Sequence, residues 1–184
     1  MNDIRTNLAR KIAETSLIEG SFVLRSGKRS SEYLDKYAFE SDPILLSEIG
    51  NAMMSLIPND IDMLAGVQLG GIPLSIILSH KTSLPCVFVR PEPKTYGTCK
   101  IVEGRSPRGC HILLIEDVIS SGGAAIKGAD ILRQLGGVVT DVLCVIDRRE
   151  PAGLNKLEAE SLKLHALFKM NEIKDVDSIK STEG

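Results

Sequence analysis

Two adjacent carboxylates, Glu116 and Asp117, close the apolar run Ile112-Leu113-Leu114-Ile115, and Ser120-Ser121-Gly122-Gly123 follow shortly after. Small residues let backbone N–H groups approach an anion, and a helix starting at the same place points its positive end there, so this loop favours phosphate. The carboxylates repel phosphate and require donors instead, either the vicinal hydroxyls of a sugar or a bound cation. A phosphorylated sugar meets both demands. A strand-to-helix turn with incidental acids accounts for the same residues equally well. No Gly-x-x-x-x-Gly-Lys-Ser/Thr is present, which excludes a Walker loop, and a dinucleotide fingerprint is weak because Gly-x-Gly-x-x-Gly is also missing.

The stretch Cys110–Gly137 must position these groups. Ile112–Ile115 reads as a strand buried on both faces of a parallel sheet, leaving the core at the acid pair. A helix follows with Ala125, Ala129, Leu132 and Leu135 on one face, and Gly136-Gly137 stop it. A second unit of the same kind lies upstream. There the strand Ile61–Val67 runs into Gln68-Leu69-Gly70-Gly71 and a helix carrying Leu74, Ile77 and Leu78. Pro85–Val89, Val138–Ile146 and Leu162–Phe168 are predicted as further strands. Helices are predicted within Met1–Gly20, with Ile4, Leu8 and Ile12 in register, and after Ser41-Asp42-Pro43, with Leu46, Ile49, Met53 and Leu56. A short helix over Leu154–Ser161 and a polar C-terminal helix with a frayed end complete the set, and Ser21–Asp35 reads as strand, basic turn, strand. This alternation gives an α/β domain with a central parallel sheet.

Two segments stand where ligands collect in such a sheet. Pro91–Gly104 has two prolines, two glycines and no apolar periodicity, so it reads as a long polar loop, a lid or a connector. Arg148 follows the strand Val138–Ile146 and offers a planar donor fork suited to a carboxylated ring; a surface salt bridge to Asp147 or Glu150 explains it as well.

The chain's 184 residues suit one domain, and 43% hydrophobic residues supply a core. With 22 basic and 24 acidic residues, the net charge of -2 gives no electrostatic case for nucleic acid as a partner. No apolar run approaches the roughly 18 residues of a membrane helix, and no signal peptide is read, so a cytoplasmic protein is expected. Cys86, Cys110 and Cys144 fall in or beside strand-like runs as small core residues of a reduced protein, and Cys99 lies in the polar loop.

Glu116-Asp117-Val118-Ile119-Ser120-Ser121-Gly122-Gly123 closely resembles the 5-phosphoribosyl 1-diphosphate (PRPP) signature of the type I phosphoribosyltransferases. Three further segments resemble the orotate-using branch in family order: Ser21–Asp35, the loop Arg90–Gly104, and Asp147-Arg148. The resemblance covers roughly residues 20–150. It implies a mostly parallel sheet flanked by helices, with a small hood from about residues 1–40 and a catalytic lid over 91–104, all in one domain.

By the same resemblance, the acids hold the ribose hydroxyls and the loop holds the 5-phosphate, which assigns PRPP contacts to Glu116, Asp117, Val118, Ile119, Ser120, Ser121, Gly122, Gly123 and Ala124. Leu69 and Gly70 line the diphosphate, at a turn where the family often has a non-proline cis peptide. Arg90, Lys94 and Tyr96 meet it from the lid, and Lys94 and Asp117 are the principal catalytic side chains. Arg25, Ser120 and Arg148 contact orotate. Arg25 stands where many members carry Lys, Leu34 where many carry an aromatic residue, Pro91 replaces a lysine, and Tyr96 replaces a frequent His. Magnesium is implied as a cofactor held mainly by PRPP and water, with no protein ligands, and the implied assembly is a homodimer with shared active sites. The resemblance thus implies orotate phosphoribosyl transfer in pyrimidine synthesis. A transferase of the same fold acting on a purine or another base, and a non-catalytic PRPP sensor, remain as alternatives.

Overall fold

The structure, a computed structural model, describes residues 2–23, 27, 29–150 and 155–176. Helix α1 (Asn2–Ser16) buries Leu8 and Ile12 as expected, but Ile4 is exposed, and the helix stops at Ser16 rather than Gly20. It stops because Leu17 opens β1 (Leu17–Val23), which pairs antiparallel with β2 (Arg29–Leu34) in a separate two-stranded sheet. Arg25, an expected orotate contact, lies outside the described residues, as do the last residues, for which fraying was expected.

Asp35 then caps a helix that periodicity did not predict, α2 (Lys36–Ser41), by accepting from the Tyr37 N–H at 3.2 Å. Asp42 caps α3 (Pro43–Met53), accepting from the N–H groups of Ile44 at 2.8 Å and Leu45 at 3.0 Å, with Pro43 in the first turn. A 3-10 turn, Met54–Leu56, ends it.

The remaining strands are β3 (Met63–Val67), β4 (Cys86–Val89), β5 (Val102–Glu103), β6 (His111–Ile119), β7 (Val138–Asp147) and β8 (Lys163–Lys169). They form one six-stranded sheet in the order β5-β4-β3-β6-β7-β8, parallel throughout except for β5. Helix α4 (Gly71–Thr82) links β3 to β4, and α5 (Gly123–Gln134) links β6 to β7. The short helices α6 (Asn155–Ala159) and α7 (Met170–Lys174) flank β8. Successive strand residues serve opposite faces. Leu64, Leu113, Ile115, Leu143 and Val145 pack with α1, α3 and α4, whereas Ala65, Val67, Ile112, Leu114, Val142 and Cys144 pack with α5.

Three expectations need correction. The acid pair does not sit outside the core: β6 runs on to Ile119, because β7 continues to pair with it through Glu116↔Cys144, Val118↔Ile146 and Ile119↔Asp147. The lid loop is not wholly irregular, since it turns back on itself and lays β5 against β4, with the Arg90 N–H bonded to the Ile101 carbonyl at 2.9 Å. Leu135 is not on the buried face of α5 but is the 39% exposed residue just beyond its end, where Gly136 takes a φ of +87°.

Candidate active site

The chain leaves β3 through α4 towards β4 on one side, and leaves β6 through α5 towards β7 on the other. The order therefore reverses between β3 and β6, and the crevice at their carboxyl ends is where open α/β sheets collect ligands. The turn after β3 closes on β6 so tightly that side chains are excluded. A Cβ on Gly70 would stand 1.6 Å from Asp117 Oδ2, and one on Gly71 would stand 2.2 Å from the Ile115 carbonyl oxygen. The Gln68–Leu69 peptide bond is cis, as the resemblance implied, and the Leu69 side chain is exposed at the rim.

Asp117 lies on the α4 face of the sheet and is wholly buried. Its Oδ1 accepts from the Val118 N–H at 2.5 Å, and its Oδ2 is 2.6 Å from Lys36 Nζ. Lys36 and Glu40 are four apart on α2, so they share one face, and both are brought to this acid. Burial opposes the charge on Lys36, but the Asp117 bond outweighs it and raises the ammonium's pKa. Burial, and then the charge of Asp117, push Glu40 up to about 9. Glu116 points to the α5 face beside Cys144, where burial and then Asp117 push it up to about 8. At neutral pH Glu40 and Glu116 are therefore largely neutral carboxyls, and the Lys36 ammonium pairs with Asp117. Lys36 and Glu40 were not singled out from the sequence, where their spacing looks like an ordinary surface i,i+4 pair.

Beyond β6, Ser120, Ser121, Gly123 and Ala124 are exposed in the crevice, while Val118 is half-buried and Ile119 buried in the strand. Gly122 takes a φ of +77° and caps α5. The loop thus curls over a helix start whose first-turn N–H groups face outward. The Arg148 N–H bonds the Ile119 carbonyl at 2.7 Å, which sets this arginine beside the same loop. The neighbouring Arg149, not Arg148, takes the salt bridge to Asp147, with Nε–Oδ1 at 3.0 Å and a further contact to Glu158 at 3.3 Å. Among the described residues the Arg148 side chain has no hydrogen-bond or ion-pair partner.

The lid residues are not gathered at the acids. Lys94 Nζ is paired to Glu103 Oε1 at 2.5 Å within the loop, and Glu103 is held below the usual carboxylate range by that bond. Tyr96 is exposed at the tip, and Arg90 stays at the end of β4. Lys127 Nζ of α5 donates to the Pro91 carbonyl at 2.8 Å and ties down the start of the loop. Among the described residues, no group of three or more His, Cys, Asp or Glu is arranged to hold a metal ion.

No protein-family profile matches the chain. The orotate phosphoribosyltransferase of Nocardioides sp. is 41% identical over 166 residues, which span 90% of this chain and 92% of that protein. The chain belongs to the orotate phosphoribosyltransferase family. The orotate phosphoribosyltransferase of Aeropyrum pernix superposes with a TM-score of 0.81 at 30% identity, covering 95% of this chain and 98% of that one. That of Mycobacterium tuberculosis, solved with PRPP, gives 0.77 at 24% identity over 93% and 99% of the two chains. The sheet and helices described above are thus the type I phosphoribosyltransferase fold. In this orotate phosphoribosyltransferase family member, no helix among the described residues is long and apolar enough to cross a membrane.

Proposed function

We propose that this chain transfers the ribose 5-phosphate of PRPP to orotate with release of diphosphate, forming orotidine 5'-phosphate for pyrimidine synthesis. The observation that carries the reading is the contact of Asp117 with Gly70 across the β3–β6 crevice, with the Ser120–Ala124 loop and Arg148 beside it. Family membership supports it.

In this reading Asp117 accepts hydrogen bonds from the ribose hydroxyls, and the Glu116–Ile119 strand end, buried except for half-buried Val118, shapes the sugar pocket. Ser120, Ser121, Gly122, Gly123 and Ala124 hold the 5-phosphate at the head of α5. Leu69 and Gly70 offer backbone to the diphosphate. Arg148, with Ser120 and Arg25, recognises orotate, the guanidinium forking onto its carboxylate. A ring nitrogen of orotate, its proton given up to solvent or to the departing diphosphate, bonds to the anomeric carbon as the bond from that carbon to diphosphate oxygen breaks, through an oxocarbenium-like state. The chain contributes positioning and electrostatics rather than a covalent intermediate.

Arg90, Lys94 and Tyr96 close over the leaving diphosphate, which requires Lys94 to exchange Glu103 for the ligand, and the closed lid keeps water from the activated sugar. Magnesium fits as a group carried mainly by diphosphate and water, because the acid cluster is already compensated by Lys36 and by protons; when bound, it neutralises leaving-group charge. The chain works as one domain, with its hood at about 1–40 and its lid at 91–104, in a cytoplasmic homodimer whose lids serve each other's sites. The four free cysteines suit that reducing compartment.

Diphosphate release with orotate, adenine, guanine and xanthine as acceptors tests this. Release with orotate alone is expected. A purine preference overturns the base assignment, and release with none of the four leaves a PRPP-binding regulator.

A further inference from the structure

We propose that Glu40 is a positioning residue for Asp117: its carboxyl, protonated, donates a hydrogen bond to the Asp117 carboxylate and fixes that acid towards the ribose of PRPP. The identity of the sugar rests on the function proposed above; the carboxyl pair itself rests on geometry.

The geometry begins with α2. Asp35 caps it, and Phe39, wholly buried, anchors it against the core, so the helix cannot turn Lys36 and Glu40 out to solvent. Glu40 is only 7% exposed. A Cβ on Gly70 would meet Glu40 Oε1 at 2.7 Å as well as Asp117 Oδ2 at 1.6 Å, so both carboxyl oxygens abut the same point of the β3–α4 turn. Glu40 Oε1 is buried and accepts no hydrogen bond from a donor among the described residues. Two carboxyl groups can share such a dry point only when one proton lies between them.

The titratable groups that act on Glu40 are Lys36 from its own helix, Asp117 from β6 beside it and, more weakly, Glu116 from the opposite face of the same strand; the β3–α4 turn contributes glycine there. Lys36 Nζ sits 2.6 Å from Asp117 and favours the charge on that acid, so the proton belongs to Glu40. With Glu40 pushed up to about 9, the proton stays in place through neutral pH. Asp117 is then fixed from three directions, by Lys36, by the Val118 N–H and by Glu40, before any ligand arrives.

The test is PRPP binding to the full chain by calorimetry from pH 6.5 to 10, for wild type, Glu40→Gln and Glu40→Ala, with KM for orotate measured alongside. Gln keeps a donor at the same place but cannot ionise. It is expected to hold wild-type PRPP affinity within about twofold at pH 7, and to lack the weakening that wild type shows as pH rises through about 9. Ala is expected to weaken PRPP about tenfold, the effect of losing one hydrogen bond to a charged group, with KM for orotate unmoved. Gln as damaging as Ala, or the same alkaline weakening in Gln as in wild type, overturns the inference. So does wild-type PRPP affinity in a folded Ala variant. Because binding is read without turnover, a chain that binds PRPP but ignores orotate would remove the proposed function and leave this inference standing.

Discussion

Lys36 Nζ lies 2.6 Å from Asp117 Oδ2, joining a helix near the N-terminus to the strand that carries the signature acids. Asp117 is 1% exposed and Lys36 34% exposed, so this is a buried charge met by a cation that still touches water. Lys36→Met keeps the chain's bulk and leaves the acid unpaired. Expected is a stability loss of about 1–2 kcal/mol, below that for breaking a fully buried pair because of the exposure of Lys36. PRPP affinity is expected to fall as well. Chemical denaturation and PRPP titration read the two effects.

Asp117→Asn keeps the shape and removes the charge. Hydrogen bonds from ribose hydroxyls to a carboxylate exceed those to an amide by roughly 1–3 kcal/mol, so kcat/KM for PRPP should drop by about ten- to a hundredfold. Unchanged kinetics in a folded variant would show that another group meets the ribose.

Stability should decline as pH rises. Glu40 and Glu116 are raised in the fold to about 9 and about 8 from an ordinary 4.5. A raised carboxyl binds its proton more tightly in the fold, so its stabilising effect is present at low pH and is lost as pH climbs through the folded value. Against their burial, His165 holds Asp141 low and Arg5 holds Glu172 low, and those act on the acid side. Tm is expected to fall progressively from about pH 5 to about pH 9, and Glu116→Gln should remove the share that starts near the ordinary 4.5 and is complete by about 8. A flat profile in wild type over that range contradicts the buried neutral pair.

The sequence revealed the β6–α5 unit because Ile112–Ile115 is a continuous apolar run and Ser120–Gly123 has turn chemistry. Glu116 and Asp117 look from sequence like the exit from the core, since what buries them is long-range: pairing with β7, and α2 delivering Lys36. Six residues of α2 are too few for a periodic signal, so nothing in the sequence pattern singled out Lys36 and Glu40. Gly70 and Gly71 were legible as a strand-to-helix turn, but not their contact with β6, which depends on strand order. Arg148 was placed correctly at the end of its strand, while the salt bridge considered for it belongs to Arg149.

Arg148 supplies the next expectation. Its backbone is bonded to Ile119 beside the Ser120–Ala124 loop, and in the proposed function its guanidinium meets orotate, so Arg148→Ala should raise KM for orotate about tenfold or more and KM for PRPP little. Steady-state kinetics with each substrate varied in turn measures the split. Equal loss for both would make Arg148 structural.

The pairing of Lys94 with Glu103 frames the last prediction, because the catalytic lysine proposed here rests within its own loop rather than on Asp117. A loop over Pro91–Gly104 has the length to reach past its own subunit, and in the proposed homodimer Lys94 completes the partner's site. Lys94→Ala and Asp117→Asn chains are each expected to keep at most about a tenth of wild-type activity alone. If lids cross over, a mixed dimer holds one site with both lesions and one with neither. Random exchange makes about half the dimers mixed, so activity should return to about a quarter of wild type. If each lid serves its own subunit, every site in a mixed dimer keeps one lesion and no activity returns. Exchange verified by mass-tagged chains, with no recovery, rules out the shared site and returns Lys94 to its own crevice.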